Sequence, residues 1–198
     1  MNLPNKLTIA RMIATPVFMA TMMFSTIPYN YTISLVIFIL ASITDYLDGK
    51  IARKYGLITN FGKFSDPIAD KMLTTAALLG FMIIMPTGSF TVQVTVFVFI
   101  TLFREFTVSS VRLVAAASNS RKVIAANIWG KLKTVSQMLS IILGLLAYSV
   151  KELVTGADIL FSVFLIAFIV TGWISVVFTI VSGVIYLYES REMIDFTK

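Results

Sequence analysis

Two uncharged runs constrain the fold of this chain more than any other feature: 33 residues from Met12 to Thr44 and 32 from Met72 to Phe103. A helix crossing a bilayer needs about 20 apolar residues, so each run holds one span and part of the next. Pro28-Tyr29-Asn30 and Pro86-Thr87-Gly88 interrupt them and are turn-forming. Two more apolar runs follow, Thr134–Val150 and Ile159–Tyr188. With 58% hydrophobic residues among 198, the composition is that of a membrane protein. The expected fold is all-α: one membrane-embedded domain over residues 1–198, built as a bundle of six transmembrane helices near 8–27, 31–53, 67–86, 91–115, 131–150 and 159–188. The first span is too long for a cleavable signal peptide, and no small-x-small cleavage site follows it.

All but one of the 16 basic residues fall on one side of this six-span reading; Lys151 is the exception. By the positive-inside rule both termini are expected in the cytoplasm. The net charge of +6 then lies at a membrane surface, where it suits anionic lipid head groups and makes nucleic acid a poor partner. There are no cysteines and no histidines. Disulfides and thiolate metal sites are excluded, any metal must be held by oxygen, and a general base must be a carboxylate, a Lys or a Tyr.

Four of the 10 acidic residues, Asp45, Asp48, Asp66 and Asp70, stand in one pattern: Asp-x2-Asp-Gly-x2-Ala-Arg-x8-Gly-x3-Asp-x3-Asp. Carboxylates at the edge of membrane helices are costly and mark function. Asp45, Asp48, Gly49 and Ala52 are i, i+3, i+4 and i+7, one helical stripe on which two carboxylates sit a turn apart and the small residues leave the backbone open. Arg53 follows on nearly the same side, suited to a phosphate as a fork donor. The third span is expected to open near Asp66-Pro67, since proline and aspartate favour a first turn. Asp66 and Asp70, i and i+4, then share a face. A connection from Lys54 to Ser65, with Gly56 and Gly62, brings the two pairs together. Four converging carboxylates cannot coexist bare, and one or two divalent cations resolve the repulsion and suit a diphosphate. Eight fixed positions at set spacing arise by chance on the order of 10⁻⁸ in a chain of this length.

This pattern resembles the signature of the CDP-alcohol phosphatidyltransferase family, with every fixed position present. Asn2-Leu3-Pro4-Asn5 with Leu7-Thr8 and Arg11, Phe61-Gly62-Lys63-Phe64, Asp66-Pro67-Ile68-Ala69-Asp70-Lys71, Arg104-Glu105-Phe106 with Val108-Ser109 and Arg112, and Gly130-Lys131 with Lys133-Thr134 are similar to the bacterial branch that makes phosphatidylglycerol phosphate. Ser65 departs from the pattern, standing where a leucine is expected.

The resemblance implies that Asp45, Asp48 and Asp66 bind metal, Mg²⁺ or Mn²⁺ and two per site. It makes Asp70 a metal ligand or the base, and gives the CDP group to Gly49, Ala52, Arg53, Gly62 and Lys63. The implied reaction moves the phosphatidyl group of CDP-diacylglycerol to glycerol 3-phosphate and releases CMP. A homodimer in a bacterial plasma membrane, with the active site facing the cytoplasm, is implied as well. Inositol phosphate, serine or phosphatidylglycerol are alternative acceptors, an intramembrane prenyltransferase a second enzyme class, and a divalent-cation transporter the non-enzymatic alternative.

Arg104 and Glu105 lie inside an otherwise apolar span, where charges face the bundle interior. A glycerol-phosphate dianion wants two or three cationic partners, and Arg104, Arg112, Lys131 and Lys133 are the candidates. Lys131 and Lys133 are about 200° apart on a helix, so both reach one site only if the helix begins between them. Glu105 is expected to pair with one of these arginines or to orient a metal ligand. Arg104 is its least favoured partner, because adjacent helical positions do not face each other. The resemblance gives Tyr186 a part at the acceptor phosphate.

Overall fold

The computed structural model describes residues 2–55, 59–85, 87–117 and 128–191, apart from the side chains of Leu3, Asp48, Ala52, Arg53, Asn60, Lys63, Asp70 and 114–117. The described residues form six helices: α1 (Leu3–Met23), α2 (Asn30–Tyr55), α3 (Asn60–Ile84), α4 (Ser89–Ala117), α5 (Ile128–Leu153) and α6 (Asp158–Ser190). Five of them, α2 to α6, contain stretches long and apolar enough to cross a membrane. The α1 helix is not among those five, because its sequence carries Asn5, Lys6, Thr8, Arg11 and Thr15 among apolar residues.

The helices pack in the order α1–α2–α5–α6–α4–α3, with α3 returning to α1 and also touching α5 across the middle. The first helix thus lies against both halves of the acidic segment. Contacts define two ends of the bundle. At one end Glu152 on α5 accepts hydrogen bonds from the N–H groups of Tyr31 (3.1 Å) and Thr32 (3.0 Å) at the start of α2. Tyr148 donates to the carbonyl of Ile84, at the end of α3 (3.3 Å), and packs on Phe161 near the start of α6 (ring centroids 5.4 Å). Lys151, the lone basic residue of this end among the described residues, lies over the same Phe161 ring at 4.6 Å.

Between the ends the core is aromatic and aliphatic: Phe18 on Phe38, Phe81 on Phe168, and Phe97 on Trp173. Gly144 on α5 and Gly172 on α6 make this packing possible. A Cβ at Gly144 would lie 2.6 Å from Phe81 Cζ and 2.9 Å from Phe168, and one at Gly172 would lie 2.5 Å from Phe97. Bilayer lipid is as apolar as leucine, so close approach at small residues holds such helices together.

The third helix differs from its expected start. It begins at Asn60 rather than near Asp66-Pro67. Thr59 caps it by accepting the N–H of Gly62 (3.0 Å), which places Pro67 inside the helix. The proline removes one helical hydrogen bond there. The turn before it is anchored from α1, which offsets the loss: Thr59 donates to Asn5 Oδ1 at 3.0 Å, and Thr8 donates to Asp66.

Candidate active site

One face of α1 organises the acidic segment. Asn5, Thr8, Arg11 and Thr15 fall at spacings of three, three and four residues, and all four are at least nine-tenths buried. Thr8 Oγ1 donates to Asp66 Oδ1 at 2.8 Å. The Arg11 guanidinium, with 1% of its side-chain surface exposed, forms an ion pair and hydrogen bond with Asp45 Oδ1. Thr8 and Arg11 are neighbours on one helical face, so the first carboxylate of α2 and the first of α3 meet the same strip of α1. Asp66 is exposed and Asp45 keeps 34% of its side-chain surface, so each retains oxygen lone pairs for a ligand. Both Gly62 and Asp66 lie against this strip: a Cβ on Gly62 would meet Asn5 Oδ1 and Thr59 Oγ1 at 3.3 Å and Asp66 Oδ2 at 3.6 Å. The backbones of Asp48 and Asp70 continue these helices, i+3 from Asp45 and i+4 from Asp66.

A second charged group is centred on Glu105 of α4. Its Oε1 accepts from Lys133 Nζ of α5 at 2.7 Å and from Arg104 at 3.1 Å, and its Oε2 lies 3.1 Å from Lys71 Nζ of α3. Lys71 also donates to Ser109 at 2.6 Å. These residues border a polar cavity of about 140 Å³ whose wall is completed by threonines of α3, α4 and α5 and by Gln137. Beside it an apolar groove of about 760 Å³ runs between α1, α3 and α4, lined by residues such as Met12, Met19, Met72, Leu79, Leu102 and Phe106, and reaching Lys71 and Glu105 at its rim.

The profile of the CDP-alcohol phosphatidyltransferase family matches residues 1–185, nearly the whole chain. This chain belongs to the CDP-alcohol phosphatidyltransferase family. It is 37% identical over 204 aligned residues to the CDP-diacylglycerol–glycerol-3-phosphate 3-phosphatidyltransferase of Bacillus subtilis, with 96% of each chain covered. It is 39% identical over 191 residues to the protein of the same name from Rickettsia bellii, again with 96% of each covered. A CMP-forming cardiolipin synthase of Oryza sativa is 37% identical over 148 residues, 70% of this chain and 44% of that one.

Within this family member the expected site residues fall into three groups. Asp45 and Asp66 meet α1 as described, and Gly49 and Gly62 lie on the same two helices. The side chains of Asp48, Ala52, Arg53, Lys63 and Asp70 lie outside the described residues. Of the acceptor candidates, Arg104 and Lys133 are brought together, while Arg112 and Lys131 are exposed and stand apart from them. The helix containing both lysines starts at Ile128, before either of them, so Lys131 and Lys133 point to different sides. Tyr186 is half-buried on α6, one turn beyond Gly183, where a Cβ would lie 3.3 Å from Arg104 Cγ.

The expectation that Arg104 is the least suited partner of Glu105 is corrected: the two are hydrogen-bonded. The stem of Arg104 passes close to Gly183 of α6, where a Cβ would lie 3.3 Å from its Cγ. Ser65 is accounted for locally: it is buried and donates to the carbonyl of Phe61 at 2.8 Å within its own helix.

Asn5, Thr8, Arg11 and Lys71 stand in the segments that carry the family resemblance, but the sequence alone assigns them no place in the site. The signal that could have found the α1 stripe is polar residues at helical spacing in an apolar helix, which bury only when something polar faces them.

Proposed function

We propose that this chain transfers the phosphatidyl group of CDP-diacylglycerol to sn-glycerol 3-phosphate, giving phosphatidylglycerol phosphate and CMP. The observation that carries this reading is the continuity of α3. Its N-terminal part presents Asp66 to α1, and Lys71, the residue after Asp70, already belongs to the cation cluster with Arg104 and Lys133. An acidic site and an anion-seeking site are thus joined within a few residues of one helix.

The donor set fits hard divalent cations. It contains only oxygen ligands, and Asp45 and Asp66 share one strip of α1 with open lone pairs. We assign Asp45, Asp48, Asp66 and Asp70 to Mg²⁺ or Mn²⁺, two per site. Bound there, the metal supplies charge neutralisation for a diphosphate and its leaving group.

Gly49, Ala52, Arg53, Gly62 and Lys63 bind and orient the CDP group. Asp70 takes the proton from the acceptor hydroxyl as its oxygen attacks the lipid-bearing phosphorus; the P–O bond to CMP breaks and CMP carries away the electron pair. Orientation and charge neutralisation supply most of the rate in phosphoryl transfer. Arg104 and Lys133 hold the acceptor phosphate, with Tyr186 beside them. Exposed Arg112 and Lys131 add to the positive surface through which the dianion arrives. The apolar groove next to the site offers hydrocarbon contact for a lipid donor.

The same reading has α1 cross the membrane with the other five helices, both termini and the active site on the cytoplasmic side of a bacterial plasma membrane, and residues 1–198 as one domain. The supporting fact is that, among the described residues, the basic positions other than Lys151 lie toward the helix ends opposite Glu152. A homodimer is part of this reading, and its first candidate surface is the exposed ridge of Phe99, Phe103 and Phe106 on α4. The chain has no cysteine, so Phe103→Cys tests this by disulfide cross-linking in membranes; a monomer under oxidation removes that surface.

The activity test uses purified protein in detergent with CDP-diacylglycerol, Mg²⁺ or Mn²⁺ and labelled acceptors. CMP release with label from glycerol 3-phosphate entering phospholipid is the expected result. CMP release only with inositol phosphate, serine or phosphatidylglycerol reassigns the acceptor. Folded protein that releases no CMP with any alcohol overturns the transferase reading.

A further inference from the structure

We propose that Glu105 is a positioning residue for the acceptor phosphate, gathering Lys71, Arg104 and Lys133 from three helices into one preformed cation cluster. The inference rests on the proposed function and adds Glu105, to which that reading gives no role at the acceptor, as the group that holds Lys71, Arg104 and Lys133 in place.

Three observations carry it. First, one carboxylate holds all three cations: Lys133 at 2.7 Å, Arg104 at 3.1 Å and Lys71 at 3.1 Å. Those cations come from α5, α4 and α3, so no single helix could bring them together. Second, the described contacts gather three cations on one carboxylate, a predominance of positive charge that suits a phosphate dianion. Third, donors remain in reserve. Arg104 Nε and the Gln137 amide nitrogen are buried without a hydrogen-bond partner, and both residues line the same polar cavity. Gln137 is only 5% exposed, and a buried unpaired donor is costly unless a ligand or water uses it.

Glu105 does here what a carboxylate does for a metal-bound histidine: it orients groups that touch the ligand without touching it itself. Without it, three like charges repel at short range and separate toward solvent and neighbouring carbonyls. The bound phosphate would then have to assemble them.

The test compares the wild-type chain with Glu105→Gln, Glu105→Asp and Lys71→Gln. The first measurement is steady-state kinetics with each substrate varied. Glu105→Gln is expected to raise KM for glycerol 3-phosphate about tenfold to a hundredfold, the size of losing hydrogen bonds to a charged group. KM for CDP-diacylglycerol stays within about twofold, and Glu105→Asp recovers part of the loss. The second measurement needs no turnover: inorganic phosphate raises the Tm of the wild type, and that rise is lost in Glu105→Gln. An unchanged or lowered KM for glycerol 3-phosphate overturns the inference, as does a parallel worsening of both KM values.

Should Glu105→Gln fail to fold, Glu105→Asp and Lys71→Gln decide. Lys71 is 40% exposed on its side chain, so its replacement is tolerated structurally. Unchanged acceptor KM in both overturns the inference. If the wild type releases no CMP, the proposed function falls by itself. A phosphate-dependent Tm rise that Glu105→Gln abolishes would still support the cluster as an anion site, and its absence would remove that as well.

Discussion

The two charged groups at one end of this bundle are built in opposite ways. Around α1, carboxylates are the open partners: Arg11 is buried, while Asp45 is about a third exposed and Asp66 faces solvent. Around Glu105 the carboxylate is enclosed, with 16% of its side chain exposed, together with Lys133 (8%) and Arg104 (19%), and Lys71 (40%) is the open member. The first group thus opens through its carboxylates and the second through a cation. The first is left attractive to cations and the second to anions. A single-displacement phosphoryl transfer between two anionic substrates needs both, kept separate so that they do not neutralise each other.

The sharpest way to break this division is at its acidic side. Removing divalent metal with a chelator should abolish CMP release, and adding back Mg²⁺ or Mn²⁺ should restore it; activity that survives exhaustive chelation would end the metal assignment. Asp70→Asn should lower kcat by about a thousandfold, in the range expected for losing a general base, while the protein keeps its wild-type elution in detergent. A kcat within tenfold of wild type would move the base elsewhere.

Next comes the enclosed cation. Arg11→Ala leaves Asp45 without its partner and should cost about 2 kcal/mol of stability as well as activity, a figure reduced from that of a fully buried pair because Asp45 is partly solvated. Thermal unfolding in detergent reads it, and a Tm equal to wild type would show the pair to be dispensable.

A smaller effect sharpens the cationic side. Lys133→Met should raise KM for glycerol 3-phosphate by about tenfold, whereas Lys131→Met, two positions away on the exposed side of α5, should change it by no more than about twofold. Equal effects from the two lysines would mean that proximity to the membrane surface, not position in the cluster, governs acceptor binding. The smallest expected change is Thr8→Val, which removes one hydrogen bond to Asp66 and should cost about 1 kcal/mol in stability.

Much of this arrangement could be read from the chain. Helix positions followed from uncharged runs broken at Pro28 and Pro86, because membrane-crossing length and turn chemistry act locally. The helical setting of the acidic pattern was legible for the same reason: Asp45 and Asp48 lie on α2 and Asp66 and Asp70 on α3, while the side chains of Asp48 and Asp70 lie outside the described residues. What escaped depends on distance along the chain. Thr8 meets Asp66 across 58 residues and Arg11 meets Asp45 across 34, and no local rule pairs them. Pro67 reads as a helix start because the cap at Thr59 and its bond to Asn5 are invisible in the local sequence. Arg104 pairs with its neighbour Glu105 on a stem that passes close to Gly183 of another helix, again a matter of packing. Lys133 and Lys131 were the reverse case: helical geometry alone separated them, and the structure does so.

The place of α1 between α2 and α3 has a consequence for biogenesis. This helix leaves the ribosome before α2 to α6, yet the partners of its buried polar face are synthesised 34 and 58 residues later. Until then Thr8 can turn back to the Pro4 carbonyl of its own helix, while the charge of Arg11 depends on water, head groups or the translocation machinery. On the reading proposed above, in which α1 crosses the membrane, the least apolar helix is held there by its successors, so that α1, α2 and α3 insert cooperatively rather than one by one. Asp45 and Asp66 then also draw α1 into the bundle.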